Sequence, residues 1–72
     1  MWLVMIEECE EKEPIKLCNS KLEAEDAFTK ITLKEGQWLS AYEFKDGIPI
    51  KYYEFIDGNL VLNYELYNKI KE

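Results

Sequence analysis

An α+β fold, with one helix packed on one face of a small antiparallel sheet, is what this sequence predicts. Three observations carry that expectation. One segment opens with an S-x-x-E capping box and continues as an apolar stripe. Two Asp-Gly dipeptides separate β-rich runs. The apolar residues flanking those dipeptides alternate with period two. The expected order is ββαβββ, in a single domain covering residues 1–72, since no repeat, low-complexity tract or Gly/Ser-rich linker divides the chain.

The first strand is expected from Trp2 to Glu8, apolar on both faces at its start. Glu10-Glu11-Lys12-Glu13 then reads as a charged turn, and Pro14 to Cys18 as the returning strand, with proline at its first position where the missing N–H costs least. Ser20-Lys21-Leu22-Glu23 opens the helix, because the serine hydroxyl and the glutamate carboxylate can each satisfy a free backbone N–H. Ala24, Ala27, Phe28 and Ile31 follow at i, i+3, i+4 and i+7, and Gly36 closes the segment. Acidic residues in the first turns and Lys30 near the end suit the helix dipole.

Three more strands are expected at about Gln37–Lys45, Ile48–Ile56 and Leu60–Tyr67. Three-residue loops, Lys45-Asp46-Gly47 and Asp57-Gly58-Asn59, would pair Phe44 with Ile48, Tyr42 with Ile50, Ile56 with Leu60 and Tyr52 with Tyr64. One face would then carry Trp38, Tyr42, Phe44, Ile48, Ile50, Tyr52, Ile56, Leu60, Leu62, Tyr64 and Leu66. That more apolar face is expected to lie under the helix. The opposite face, with Leu39, Ala41, Glu43, Lys51, Tyr53, Phe55, Val61, Asn63, Glu65 and Tyr67, is expected to look outward.

Composition narrows the function. The chain is 47% hydrophobic, with ten aromatic residues, which suits a packed globule rather than a disordered segment. Fifteen acids against nine lysines, without arginine or histidine, give a net charge of −6. Nucleic-acid binding draws on phosphate neutralisation, so direct contact with DNA or RNA is not expected. Exposed sheet aromatics also occur in single-strand platforms, but those add basic charge, and this face offers only Lys51. Cys9 and Cys18 are expected to be reduced and apart, and two thiols without histidine do not make a structural zinc site. No cofactor or metal is expected, and no calcium loop is present. The apolar start ends at Glu7-Glu8, too short for a membrane span, so a cytoplasmic protein is expected.

An enzyme is not expected. Without histidine the commonest general acid–base residue is missing, and neither a phosphate loop nor a nucleophile elbow appears. Glu54, a carboxylate on the expected core face, reads better as a residue of the sheet margin than as a catalytic acid. Two surfaces remain as candidates for a protein partner. One is the acidic run Glu7, Glu8, Glu10, Glu11 and Glu13, whose plain alternative is a solvated hairpin tip that resists edge aggregation. The other is the outward cluster Tyr53, Phe55, Val61 and Tyr67, whose plain alternative is the ordinary preference of aromatic residues for strands. The leading expectation is a small acidic, non-catalytic module that inhibits or regulates a basic, nucleic-acid-binding protein, a composition also common among phage and mobile-element products. The second is a homodimer or higher homo-oligomer that uses the outer sheet face as its subunit interface.

Overall fold

The computed structural model describes residues 1–66. Strands β1 (Trp2–Glu8) and β2 (Glu11–Cys18) precede the helix α1 (Lys21–Phe28), and β3 (Gln37–Lys45), β4 (Ile48–Ile56) and β5 (Asn59–Glu65) follow it. All five strands join one antiparallel sheet in the order β2-β1-β3-β4-β5. The fold is α+β.

Local chemistry sets the elements. The Ser20 hydroxyl accepts from the Glu23 backbone N–H at 3.1 Å, as the capping box requires. The helix then runs only eight residues, shorter than the apolar stripe suggests. Thr29 turns its hydroxyl back onto the Asp26 carbonyl at 2.7 Å and closes the helix, and the β-branched residues beyond it favour leaving the helical conformation. Ile31 still packs on the core from beyond the last turn, as the stripe predicts.

The hairpin loops differ from the sequence expectation. Asp46 (φ 53°) and Gly47 (φ 79°) both lie in the left-handed region, as do Asp57 (φ 50°) and Gly58 (φ 85°). These are two-residue type I′ turns, which match the twist of the strands they join. They pair Lys45 with Ile48 and Ile56 with Asn59. The extra residue that a three-residue loop would absorb appears inside the strands instead. Register shifts leave Ile50 and Asn63 as bulges, beyond which Tyr42 faces Tyr52 and Tyr52 faces Tyr64. In the first hairpin Ile15 is the bulged residue, and β2 begins at Glu11, so the turn is Cys9-Glu10 rather than a longer charged loop.

The core lies on the opposite side of the sheet from the expected one. Trp2, Val4, Cys18, Ala24, Phe28, Leu39, Ala41, Tyr53 and Leu60 form one buried cluster, with Ile6, Ala27, Ile31 and Phe55 packed against it. Tyr53 and Phe55, expected to face outward, therefore lie among core residues: Tyr53 packs on Trp2 and Phe55 on Phe28, each with ring centroids 4.7 Å apart. Small residues explain the choice. Ala24 and Ala41 are fully buried and let a helix approach closely, whereas a face of tyrosines leaves hydroxyls that need water or partners. Cys18 is buried and Cys9 is exposed at the turn, and both are free thiols. Burial pushes the Cys18 thiol up from its ordinary value, with Glu23 adding to the effect.

Candidate functional site

The face without the helix carries the most distinctive chemistry. The registers align Leu17, Leu3, Tyr42, Tyr52 and Tyr64, one residue per strand, in a row across the whole sheet. Three tyrosines thus become neighbours although they lie far apart in sequence. Ring centroids are 5.2 Å apart for Tyr42 and Tyr52 and 5.0 Å for Tyr52 and Tyr64, the second pair stacked at 27°. Phe44 meets Tyr42 edge-on at 6.4 Å, and Trp38, two positions before Ser40 on β3, shares the face and is 37% exposed.

A charged network crosses this row. Lys12, on the edge strand β2, donates to the Tyr42 hydroxyl at 2.8 Å. Its ammonium also sits 5.1 Å from the ring centroids of both Tyr42 and Tyr52, within cation–π range. To reach them the side chain crosses β1. From the other side the Tyr52 hydroxyl donates to Glu7, on β1, passing over β3. Lysine and tyrosine together roof the middle of the sheet. Met5 is 3% exposed, Glu7 6% and Ser40 0%, on the face opposite α1. The Ser40 hydroxyl is buried there without a hydrogen-bond partner among the described residues.

Electrostatics follow from this burial. Tyr52 is pushed up to about 12, first by desolvation and then by its hydrogen bond to Glu7, which is stronger while the phenol keeps its proton. The hydrogen bond to Tyr42 holds Lys12 above the ordinary ammonium range against a desolvation cost, with the Glu7 carboxylate adding to the rise. Tyr64 is also raised, by desolvation first. Across the sheet, Tyr53 is pushed up to about 12 by desolvation and by its 2.9 Å hydrogen bond to Glu43.

The expected partner residues do not form one surface. Strand alternation splits the acidic run: Glu7 lies on the open face, Glu8, Glu11 and Glu13 on the helix side, and Glu10 in the turn. Glu8 accepts from the Gln37 amide at 2.9 Å. Of the aromatic cluster, Tyr53 and Phe55 belong to the core, and Val61 is 46% exposed on the open face opposite Glu54. Tyr67 lies outside the described residues. Sequence reasoning placed Trp38, Tyr42, Tyr52 and Tyr64 on one face but assigned that face to the core, and it overlooked Lys12. Strand alternation puts Lys12 on the tyrosine side of the sheet but opposite Glu7, so only its long side chain brings it to Tyr42, and no local sequence signal announces that contact.

Among the described residues no group of three or more Cys, Asp or Glu could hold a metal ion, and no helix is long and apolar enough to cross a membrane. The chain matches none of the protein families, curated proteins or solved structures with which it was compared.

Proposed function

We propose that this protein is a non-catalytic binding module whose open sheet face receives a positively charged segment of a protein partner. Inhibition or regulation of a basic, nucleic-acid-binding protein is the role this best supports. The observation that carries the reading is the row Tyr42, Tyr52 and Tyr64, flanked by Trp38 and Phe44, on the side of the sheet opposite α1. Tyrosine and tryptophan supply rigid contact area with a polar tip, the residue types that dominate protein interfaces.

Charge selects the occupant. A chain of net charge −6 repels a second copy of itself and attracts a basic partner, so the subunit-interface reading is the weaker of the two. Exposed Val61 and Tyr64 supply apolar area at one end of the row. At the other end Met1, Leu17, Phe44 and Asp46 line an open hollow.

The test is a nuclear magnetic resonance titration with a lysine- and arginine-rich peptide, using an acidic peptide of equal length as control. Shifts centred on Trp38, Tyr42 and Tyr64, lost in the Trp38→Ala variant and weakened by salt, are the expected result. Shifts confined to the helix side, or none at all, would overturn the proposal.

A further inference from the structure

We propose that Lys12 occupies, in the free protein, a subsite built for a cationic side chain of the partner, arginine above all. The inference rests on the reading of the open face as a surface for a basic protein segment. It adds which chemical group is recognised and how the chain keeps that position filled until the partner arrives.

Three observations carry it. The Lys12 ammonium already makes the contacts a bound cation would make, 5.1 Å from two tyrosine ring centroids and 2.8 Å from the Tyr42 hydroxyl. An ammonium has three N–H donors, and this hydrogen bond uses one. Second, what lies beneath and beside it is prepared rather than sealed. The Glu7 carboxylate supplies countercharge, and the Ser40 hydroxyl is fully buried with no partner among the described residues. A planar guanidinium brings five donors and stacks on aromatic rings better than an ammonium does, so it fits two tyrosines and unused acceptors more completely. This chain contains no arginine to compete for the position. Third, Lys12 can leave. It is an exposed residue on an edge strand, and a released lysine side chain regains rotamer freedom and hydration.

An internal occupant lowers apparent affinity by the fraction of molecules in which the subsite is free. Removing the ammonium while keeping an apolar side chain of similar length therefore strengthens binding, and replacing it with a better internal cation weakens binding. The two substitutions have opposite signs, which a merely structural lysine does not predict.

The experiment titrates an arginine-containing peptide, blocked at both ends, into the wild-type protein and into the Lys12→Met, Lys12→Arg and Lys16→Met variants, following the Trp38 indole N–H by nuclear magnetic resonance. Lys16→Met makes the same change in net charge from the other side of the sheet. Binding tightens about tenfold in Lys12→Met if the lysine is seated roughly nine-tenths of the time, and it weakens in Lys12→Arg. Lys16→Met changes affinity no more than about twofold through long-range charge. If Lys12→Met and Lys16→Met behave alike, the lysine is not a competitor, and this inference falls while the open-face reading stands. If the peptide shifts no open-face resonance in any variant, both fall together. Should Lys12→Met lose its dispersed spectrum, the sign of the Lys12→Arg effect decides.

Discussion

At the scale of single residues, Tyr52 shows how the sheet face opposite α1 still buries polar groups. Its ring lies between Tyr42 and Tyr64, its hydroxyl reaches Glu7, and the residue is 5% exposed. A hydrogen bond to a buried carboxylate is worth about 1.5–3 kcal/mol, and the loss is larger when the carboxylate is left without a partner. Burial holds the phenol to about 12, against 10.0 for a free tyrosine. The folded state thus keeps a proton that the unfolded chain has released. Stability from this group is full below about pH 10 and falls as pH rises towards 12. Tyr53 behaves likewise through Glu43. Phenolate absorbance should show Tyr52 and Tyr53 titrating towards pH 12, with Tyr64 also above its ordinary value. In Tyr52→Phe one of them disappears, the alkaline loss of stability becomes shallower, and stability at neutral pH falls by about 1–3 kcal/mol as Glu7 loses its donor. A phenolate spectrum in which every tyrosine titrates near its ordinary value would remove the basis for this account.

At the scale of elements, the two Asp-Gly turns decide more than their own conformation. Gly47 and Gly58 have φ of 79° and 85°, and a Cβ built on either meets nothing within 4 Å. Substitution there is penalised by backbone strain alone. Gly47→Ala and Gly58→Ala should each destabilise the protein by about 1 kcal/mol in denaturant titrations, whereas Asp46→Asn, which accepts a left-handed φ, should be near neutral. Equal losses for all three substitutions would argue against type I′ geometry. These turns also show what was legible beforehand. The Asp-Gly signals, the Ser20 cap and the alternation of apolar residues are local, and all three identify their elements. Strand register is a sum of local choices, and the bulges at Ile50 and Asn63 each add one residue that no local signal announced. Beyond its bulge the first hairpin is shifted by two residues from the expected register, and in the second the expected pairing of Tyr52 with Tyr64 is the observed one, so Trp38, Tyr42, Tyr52 and Tyr64 share one face as expected. The side taken by the helix is a different kind of information. β2 and β3 both run antiparallel to β1 and lie on either side of it, so α1 belongs to a crossover between parallel strands. Such crossovers have a strongly preferred hand, which fixes the face once the strand order is known. Strand order is not written in local patterns, and counting apolar residues chose the tyrosine face because it ignored the room that Ala24 and Ala41 give the helix.

At the scale of the whole molecule, a five-stranded open sheet has two edges, and each is protected differently. β2 presents Pro14, which has no N–H to offer, together with Lys16, so its edge is blunted by composition. β5 carries Leu60, Val61, Leu62 and Tyr64 with neither proline nor lysine, and by composition alone it is the edge open to pairing. The helix answers part of this. Glu25 extends a carboxylate oxygen to the Leu60 backbone N–H at 2.8 Å, a charge-assisted hydrogen bond that occupies one edge donor and places a negative charge beside the strand. The same bond ties α1 to the far side of the sheet and helps to hold the helix over Leu60 and the core. Glu25→Ala should therefore act in two ways at once. It should lower stability by about 1–3 kcal/mol through the lost bond to a charged acceptor, and it should free an edge donor for another chain. Sedimentation velocity should show concentration-dependent association in Glu25→Ala beyond that of the wild type, with Glu25→Gln intermediate because its amide oxygen still accepts. If Glu25→Ala loses stability but associates no more than the wild type, the carboxylate serves only to anchor the helix. Any resistance of β5 to pairing would then have to come from its bulge at Asn63, which twists the edge away from a flat partner.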